Sequence, residues 1–238
     1  MRKSSVLFLC MWTIVLFAVV IASVFLHETG HGIGAKIDGI HVSTGFNRVG
    51  NPGLAPSDPD FRSGMAEGVW SGLLGPMTTW LLAIAFTIWL YRFQQPTRGA
   101  LLVGAPAIVN GLARALPLLM FVNRGLRGQL WIEDEVGWGI WYVTHFLRRD
   151  LATSDMFTLV NTQPTLLLSF PAVWIPPLIS LAISLACLIP AYRRVLTLWR
   201  SRLESPIALW LLGLLPPIVY IASFPVLNVL DQLIRINW

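Results

Sequence analysis

Residues 6–31 read VLFLCMWTIVLFAVVIASVFLHETGH, an apolar run that ends on His27-Glu28-Thr29-Gly30-His31. On a helix, the HExxH spacing sets two imidazoles at i and i+4 on one face, a separation that a single zinc ion bridges. The glutamate between them lies within reach of a water that the metal activates, the position of a general base. The apolar run before the motif has the roughly 20 residues that a helix needs to cross a bilayer. One segment therefore carries both messages: a membrane-length helix, and a hydrolytic zinc motif at its end. Chance is a weak competitor. With four histidines and five glutamates in 238 residues, a shuffled chain carries HExxH about once in a thousand. The bland alternative is a pair of histidines that pack or cap a helix end.

The rest of the composition agrees with a membrane protein. Hydrophobic residues make up 55% of the chain and charged residues 12%, with a mean hydropathy of +0.66. Soluble domains carry about a quarter charged residues. Apolar stretches of spanning length recur at about 6–26, 69–91, 99–122, 166–191 and 207–230. The expected fold is an all-α integral membrane protein, a single polytopic domain over residues 1–238. It has about five to six transmembrane helices and a short β-hairpin after the first. Trp12, Trp70, Trp80, Trp89, Trp131, Trp174 and Trp238 mostly fall near the proposed ends, as interfacial belts require.

Charge gives an orientation. Arg2 and Lys3 precede the first span, Arg92 and Arg98 separate the second and third, and Arg193, Arg194, Arg200 and Arg202 separate the fourth and fifth. All lie on one side if the amino terminus is cytoplasmic, which turns the motif towards the outer face. Arg124, Arg127, Arg148 and Arg149 then fall outside, mixed with acids. The net charge of +5 is thus a topology signal, and no basic-aromatic pattern points to nucleic acid. The first segment has the look of a signal peptide, but cleavage near Ala22-Ser23 would strand the motif at a loose terminus, so a retained span is expected. Cys10 and Cys187 lie inside apolar runs, away from any metal-ligand spacing.

The residues that follow the motif sharpen the reading. The stretch HETGHGIGAKIDGIHVSTGFNRVG (27–50) resembles the site-2 protease family of intramembrane zinc metalloproteases, in which HExGH leads into a small-residue helix end, a glycine and a short strand. Gly30, Gly32 and Gly34 let a neighbouring helix approach closely. Residues 40–48 alternate enough for a strand, whose edge either holds an extended peptide by β-addition or belongs to a plain surface hairpin. Ser71-Gly72-Leu73-Leu74-Gly75-Pro76 looks like the Gly-Pro opening of the family's second core helix, although proline also suits any helix start. The resemblance covers residues 20–135. It divides the chain into a metalloprotease-like core, 1–135, and additional helices, 136–238.

The third metal ligand departs from the family pattern, in which an Asn-x-x-Pro run is closely followed by Leu-Asp-Gly. Here Arg114 stands where the asparagine would be, before Ala115-Leu116-Pro117, and Glu133-Asp134-Glu135 follows well downstream. The other candidate is Asp231 in Val226-Leu227-Asn228-Val229-Leu230-Asp231, with Gln232 in place of glycine. Chain order favours Asp134 as the ligand, with Asp231 the alternative and Glu133 or Glu135 behind them. The acidic trio also suits the first turn of a helix running to Phe146.

Three other polar residues are candidate substrate or supporting groups. Asn110 and Arg114 share a helix face at i and i+4, and Arg114 pairs with an acid such as Glu135, holds a substrate carbonyl, or simply snorkels. His145 is a supporting group or an interfacial histidine. Asn51-Pro52-Gly53 and residues 55–60 form a turn-rich loop, either a lid or a connector.

The resemblance implies a Zn2+ enzyme that hydrolyses peptide bonds in or beside transmembrane segments of other membrane proteins, with Glu28 as the base. Its partners are that substrate, the lipid bilayer and any further subunits. Two alternatives stay open: an inactive membrane subunit or scaffold that keeps the fold, and a metal or proton transport component. Retention of Glu28 favours the enzyme, and the lack of an internal repeat counts against transport.

Overall fold

The structure, a computed structural model, describes residues 3–58, 60–61, 68–151, 156–203 and 205–238. Arg2 and Pro59, which figure in the orientation and loop expectations, lie outside them. The chain begins with α1 (Lys3–Asp38), β1 (Ser43–Thr44), β2 (Val49–Gly50), α2 (Val69–Leu90), α3 (Arg98–Gly125) and α4 (Asp134–Tyr142). It continues with α5 (Met156–Thr162), α6 (Pro164–Leu168), α7 (Pro171–Arg200), α8 (Pro206–Ala222), α9 (Phe224–Leu233) and β3 (Ile236–Asn237). Among the described residues, five stretches are long and apolar enough to cross a membrane: Ser5–Asp38, Val69–Leu90, Arg98–Gly125, Pro171–Arg200 and Pro206–Leu233.

The first helix is longer than its apolar run. It continues through the HExxH motif and stops at Gly39, whose φ of 73° is the left-handed conformation that glycine adopts without a Cβ clash. Ile40 N then donates to Ala35 O at 2.8 Å, closing the helix end in a Schellman turn. The motif is therefore held on regular helix with a full turn beyond it. At the other end of the chain, α8 and α9 form a single apolar stretch that breaks at Ser223, where Pro225 starts a new first turn.

Helix α3 lies at the centre. Two thirds of its most apolar window, 67%, is buried, against about a third in the other spans. It packs on α1, α2, α7 and α8 through residues such as Leu101, Ile108 and Leu112. Helices α1 and α2 run antiparallel and meet through backbone: a Cβ on Gly34 would sit 2.1 Å from Trp70 O, and one on Gly30 would sit 2.5 Å from Leu74 O. Small residues at these positions let the two helices approach within backbone contact. A second apolar cluster, with Phe121, Val136, Ile140 and Val173, seats α4 against α3 and α7.

Trp12 departs from the interfacial expectation. Its side chain is fully buried, and its indole N–H donates to Leu212 O at 3.3 Å. A tryptophan early in a span is an interfacial anchor only if that turn faces lipid, and this one faces α8. At the amino-terminal end of α1, Phe8 stacks on Trp199 with ring centroids 4.2 Å apart. Arg194 donates to Phe93 O and lies over Tyr91. The start of α1, the α2–α3 turn and the end of α7 thus share one end of the bundle. The HExxH motif, the hairpin, the start of α4 and the C-terminal segment occupy the opposite end.

The strand expectation is met in a smaller form. β1 pairs antiparallel with β2, Ser43 opposite Gly50, and also with β3, Ser43 opposite Asn237. The order β2-β1-β3 leaves β1 without a free edge for a peptide. Trp238 fixes β3 further, with its N–H donating to Val42 O at 2.9 Å and its indole N–H to Thr44 Oγ1 at 2.8 Å.

Candidate metal centre

Helix geometry puts His27 and His31 one turn apart on α1, and their Nε2 atoms lie 3.1 Å from each other. Each ring is fixed from behind by its other nitrogen. His31 Nδ1 donates to the carbonyl of Ser71, in the first turn of α2. That turn is set against the end of α1 by Asp38, whose carboxylate accepts from Ser71 N at 2.7 Å. His27 Nδ1 lies 2.8 Å from Thr79 Oγ1, and the Thr79 hydroxyl donates onward to Gly75 O at 3.4 Å. With the hydroxyl donating to Gly75 O it can accept from the ring, which is the arrangement that keeps His27 Nε2 free for a cation. With a cation bound between them, both Nε2 atoms would present a lone pair to the same point, the arrangement that outer partners impose on ligand histidines.

The third donor comes from the turn after α3. Gly128, at φ 73°, reverses the chain there, and Asp134 opens α4. Its Oδ2 lies 3.1 Å from His27 Nε2 and 3.5 Å from His31 Nε2. The three atoms make a triangle with edges of 3.1, 3.1 and 3.5 Å. Tetrahedral zinc with bonds of about 2.0–2.1 Å has ligand-to-ligand edges of about 3.3 Å. The residues present therefore fit one small cation, with two imidazoles and a carboxylate as a borderline-soft donor set suited to zinc. Among the described residues, His27, His31 and Asp134 are the one group of His, Cys, Asp and Glu that converges in this way.

Partial burial works against the charge of Asp134, but His31 and the Arg114 guanidinium beside it hold the carboxyl well below the usual carboxylate range. Glu133 differs. Burial pushes its carboxyl up to about 7 against the pull of Arg114, and it accepts from Trp131 Nε1 at 2.7 Å. Glu135 faces away from the histidines and takes a two-pronged contact from Arg114. Only the middle acid of the trio reaches the imidazoles.

The triad borders a cavity of about 450 Å³ that Glu28 also lines. Glu28 itself is 8% exposed. Val24, Ile132, Trp138 and Phe224 give the cavity an apolar wall, and Asn47 and Val49 bring the hairpin to its rim.

No family model, curated protein or solved structure matches the chain. The likeness to the site-2 proteases rests on the motif residues alone.

Two expected site residues lie elsewhere. Asp231, the alternative third ligand, is buried at the hairpin. Its Oδ1 accepts from Phe46 N at 2.8 Å and Asn47 N at 3.1 Å, and lies 3.2 Å from Arg235 Nη1. All of these contacts are to Oδ1, no histidine converges with Asp231 among the described residues, and Arg235 in turn donates to Ser43 Oγ at 2.8 Å. Asp231 is therefore a clasp for the hairpin. His145 is exposed, with its ring stacked on Trp141 and its Nδ1 2.9 Å from Trp141 O. The regular helix expected to run to Phe146 ends at Tyr142, and the π-helical turn Val143–Leu147 carries His145 away from the cavity.

Asn110 and Arg114 stand where their spacing puts them, on the inner face of α3. Asn110 donates to Ser23 Oγ at 3.2 Å, one turn before His27, and Arg114 lines the cavity. Sequence reasoning missed Thr79 and the Ser71 carbonyl, which orient the two rings. A threonine in an apolar span and a backbone oxygen carry no pattern that marks them.

Gly75 was read as a helix opener, and its place in the structure gives it a sharper task. A Cβ there would lie 2.2 Å from His31 Nε2. Gly75→Ala should therefore push the ring off its position and raise the dissociation constant of a metal ion such as zinc held there about tenfold or more. Competition against a fluorescent zinc chelator measures this directly, and an unchanged constant would contradict the placement.

Proposed function

We propose that this chain is an intramembrane zinc metalloprotease that hydrolyses peptide bonds in or beside transmembrane segments of other proteins. The observation that carries the reading is the convergence of His27 Nε2, His31 Nε2 and Asp134 Oδ2 on one point beside Glu28, at the wall of a cavity. A zinc ion held there supplies Lewis acidity and lowers the pKa of water. Glu28 accepts the proton of the attacking water and passes it to the leaving amine, which completes a peptide hydrolysis with no covalent enzyme intermediate. His27 and His31, with their Nδ1 atoms committed to Thr79 and Ser71, stay in the tautomer that presents Nε2.

An intact helix hides its carbonyls in its own hydrogen bonds, so the scissile segment enters the cavity beside the triad locally unwound.

Charge supports an orientation in this reading: the basic residues around Arg92, Arg194 and Arg200 gather at the end of the bundle opposite the triad, the end that the positive-inside rule would turn to the cytoplasm. Helix α1, with 36 residues, is about 54 Å long against a hydrocarbon core of about 30 Å. Its motif, near the far end, lies where water from the outer face reaches it.

The test is cleavage of transmembrane-segment peptides by the purified protein in detergent, read by mass spectrometry. Chelation is expected to stop cleavage and added zinc to restore it. Stoichiometric zinc without cleavage of any of several such peptides would favour the scaffold reading instead.

A further inference from the structure

The polar groups around Asp134 do not end at the triad. Arg114 is 5% exposed in the centre of the bundle and faces three consecutive acids. Its Nε donates to Glu135 Oε1 at 3.0 Å and its Nη2 to Glu135 Oε2. Its Nη1 lies 3.1 Å from Asp134 Oδ2. A guanidinium is a planar fork, so a carboxylate that takes one edge in two-pronged fashion fixes the plane and with it the direction of the remaining N–H groups. Glu135 is pinned in its turn. The Ser180 hydroxyl, fully buried on α7, donates to Glu135 Oε1 at 2.6 Å and accepts from Trp80 Nε1 on α2 at 2.9 Å.

This chain of contacts is expensive among apolar helices. Ionised side chains inside a membrane-length bundle are costly, and a buried ion pair adds little net stability over apolar residues of the same volume. Stability alone gives no reason for it. Its one open end is the contact of Arg114 with the carboxylate that faces His27 and His31.

We propose that Glu135 and Ser180 are positioning residues for the metal: through Arg114 they aim Asp134 at the two imidazoles, so that α7 completes a site whose ligands lie on α1 and α4. This rests on the reading of His27, His31 and Asp134 as the metal ligands. The charge balance gives the arrangement its sense. Arg114 alone would compete with a cation for Asp134 Oδ2. With Glu135 on its other edge, most of its charge is already matched, and the aspartate keeps its own charge for the metal. The segment beyond residue 135, which the motif resemblance does not reach, thereby supports a ligand through Ser180 as well as lining the cavity through Trp138 and Phe224.

The experiment is a zinc-affinity cycle on the full chain in detergent, with zinc alone as the probe and a chelator dye as competitor. Glu135→Gln is expected to raise the dissociation constant about 10–100-fold, the usual range for partners that orient a ligand. Ser180→Ala, which leaves the ion pair intact and serves if Glu135→Gln does not fold, is expected to raise it in the same direction towards the lower end of that range. In an Asp134→Asn background both effects should vanish, because residues acting through one group are not additive. Wild-type affinity in Ser180→Ala and Glu135→Gln overturns the proposal, and so does a full-sized effect that persists with Asp134→Asn. If Asp134→Asn itself leaves zinc affinity unchanged, the assignment of the third ligand has failed and the proposal falls with it.

Discussion

Glu28→Gln is expected to keep zinc at one ion per chain and to lose peptide cleavage by about 10²–10⁴-fold, the contribution of a positioned general base. The side chain is not one of the converging donors, which are His27, His31 and Asp134. The amide replaces the carboxylate at nearly the same volume, so α1 and the cavity wall keep their shape. What it removes is the capacity to accept a proton from water. Metal content by mass spectrometry and turnover of a membrane-segment peptide, measured on the same preparation, separate the two effects. Loss of zinc in this variant would place Glu28 among the ligands and undo the assignment of roles. Retained cleavage would remove it from the chemistry.

His31→Ala is expected to have the opposite signature, with metal and activity lost together. The imidazole supplies one of three protein donors, and its Nδ1 is committed to the Ser71 carbonyl at the start of α2. The truncated side chain leaves two donors 3.1 Å apart, His27 Nε2 and Asp134 Oδ2, which bind zinc far more weakly. Loss of a direct ligand exceeds the effect of losing an orienting partner, so the zinc dissociation constant should rise by more than about 100-fold. A variant that still bound zinc like the wild type would mean that the metal sits elsewhere.

Much of this architecture was legible in the apolar runs. Length and composition mark each spanning-length helix, because about 20 consecutive apolar residues is what a bilayer crossing needs, and the fixed i, i+4 geometry of a helix makes HExxH readable without its surroundings. The third ligand was harder for a reason that is equally physical. Glu133 is extended before α4, and Asp134 and Glu135 point about 100° apart on its first turn. The three acids therefore share Arg114 but have different further partners: Trp131, the histidines and Ser180. Which of them faces the histidines depends on where α4 begins and how α3 turns back at Gly128, and the acidic run itself does not reveal that.

Asp231, the alternative third ligand, illustrates the converse. Its partners Phe46 and Asn47 lie some 185 residues earlier in the chain, and nothing near Asp231 announces a hairpin waiting to be clasped. His145 lies on the π-helical turn after α4, exposed and stacked on Trp141 rather than lining the cavity. Ser180 and Thr79 are hydroxyls in apolar spans whose significance appears only when Glu135 and His27 arrive beside them.

The most direct test of the account is zinc X-ray absorption on the purified chain. A first shell of four light atoms is expected, two of them imidazole nitrogens and one a carboxylate oxygen, with the fourth position open to solvent and exchangeable with a small inhibitor. A sulfur ligand, a shell closed by protein donors alone, or no stoichiometric zinc at all would contradict it.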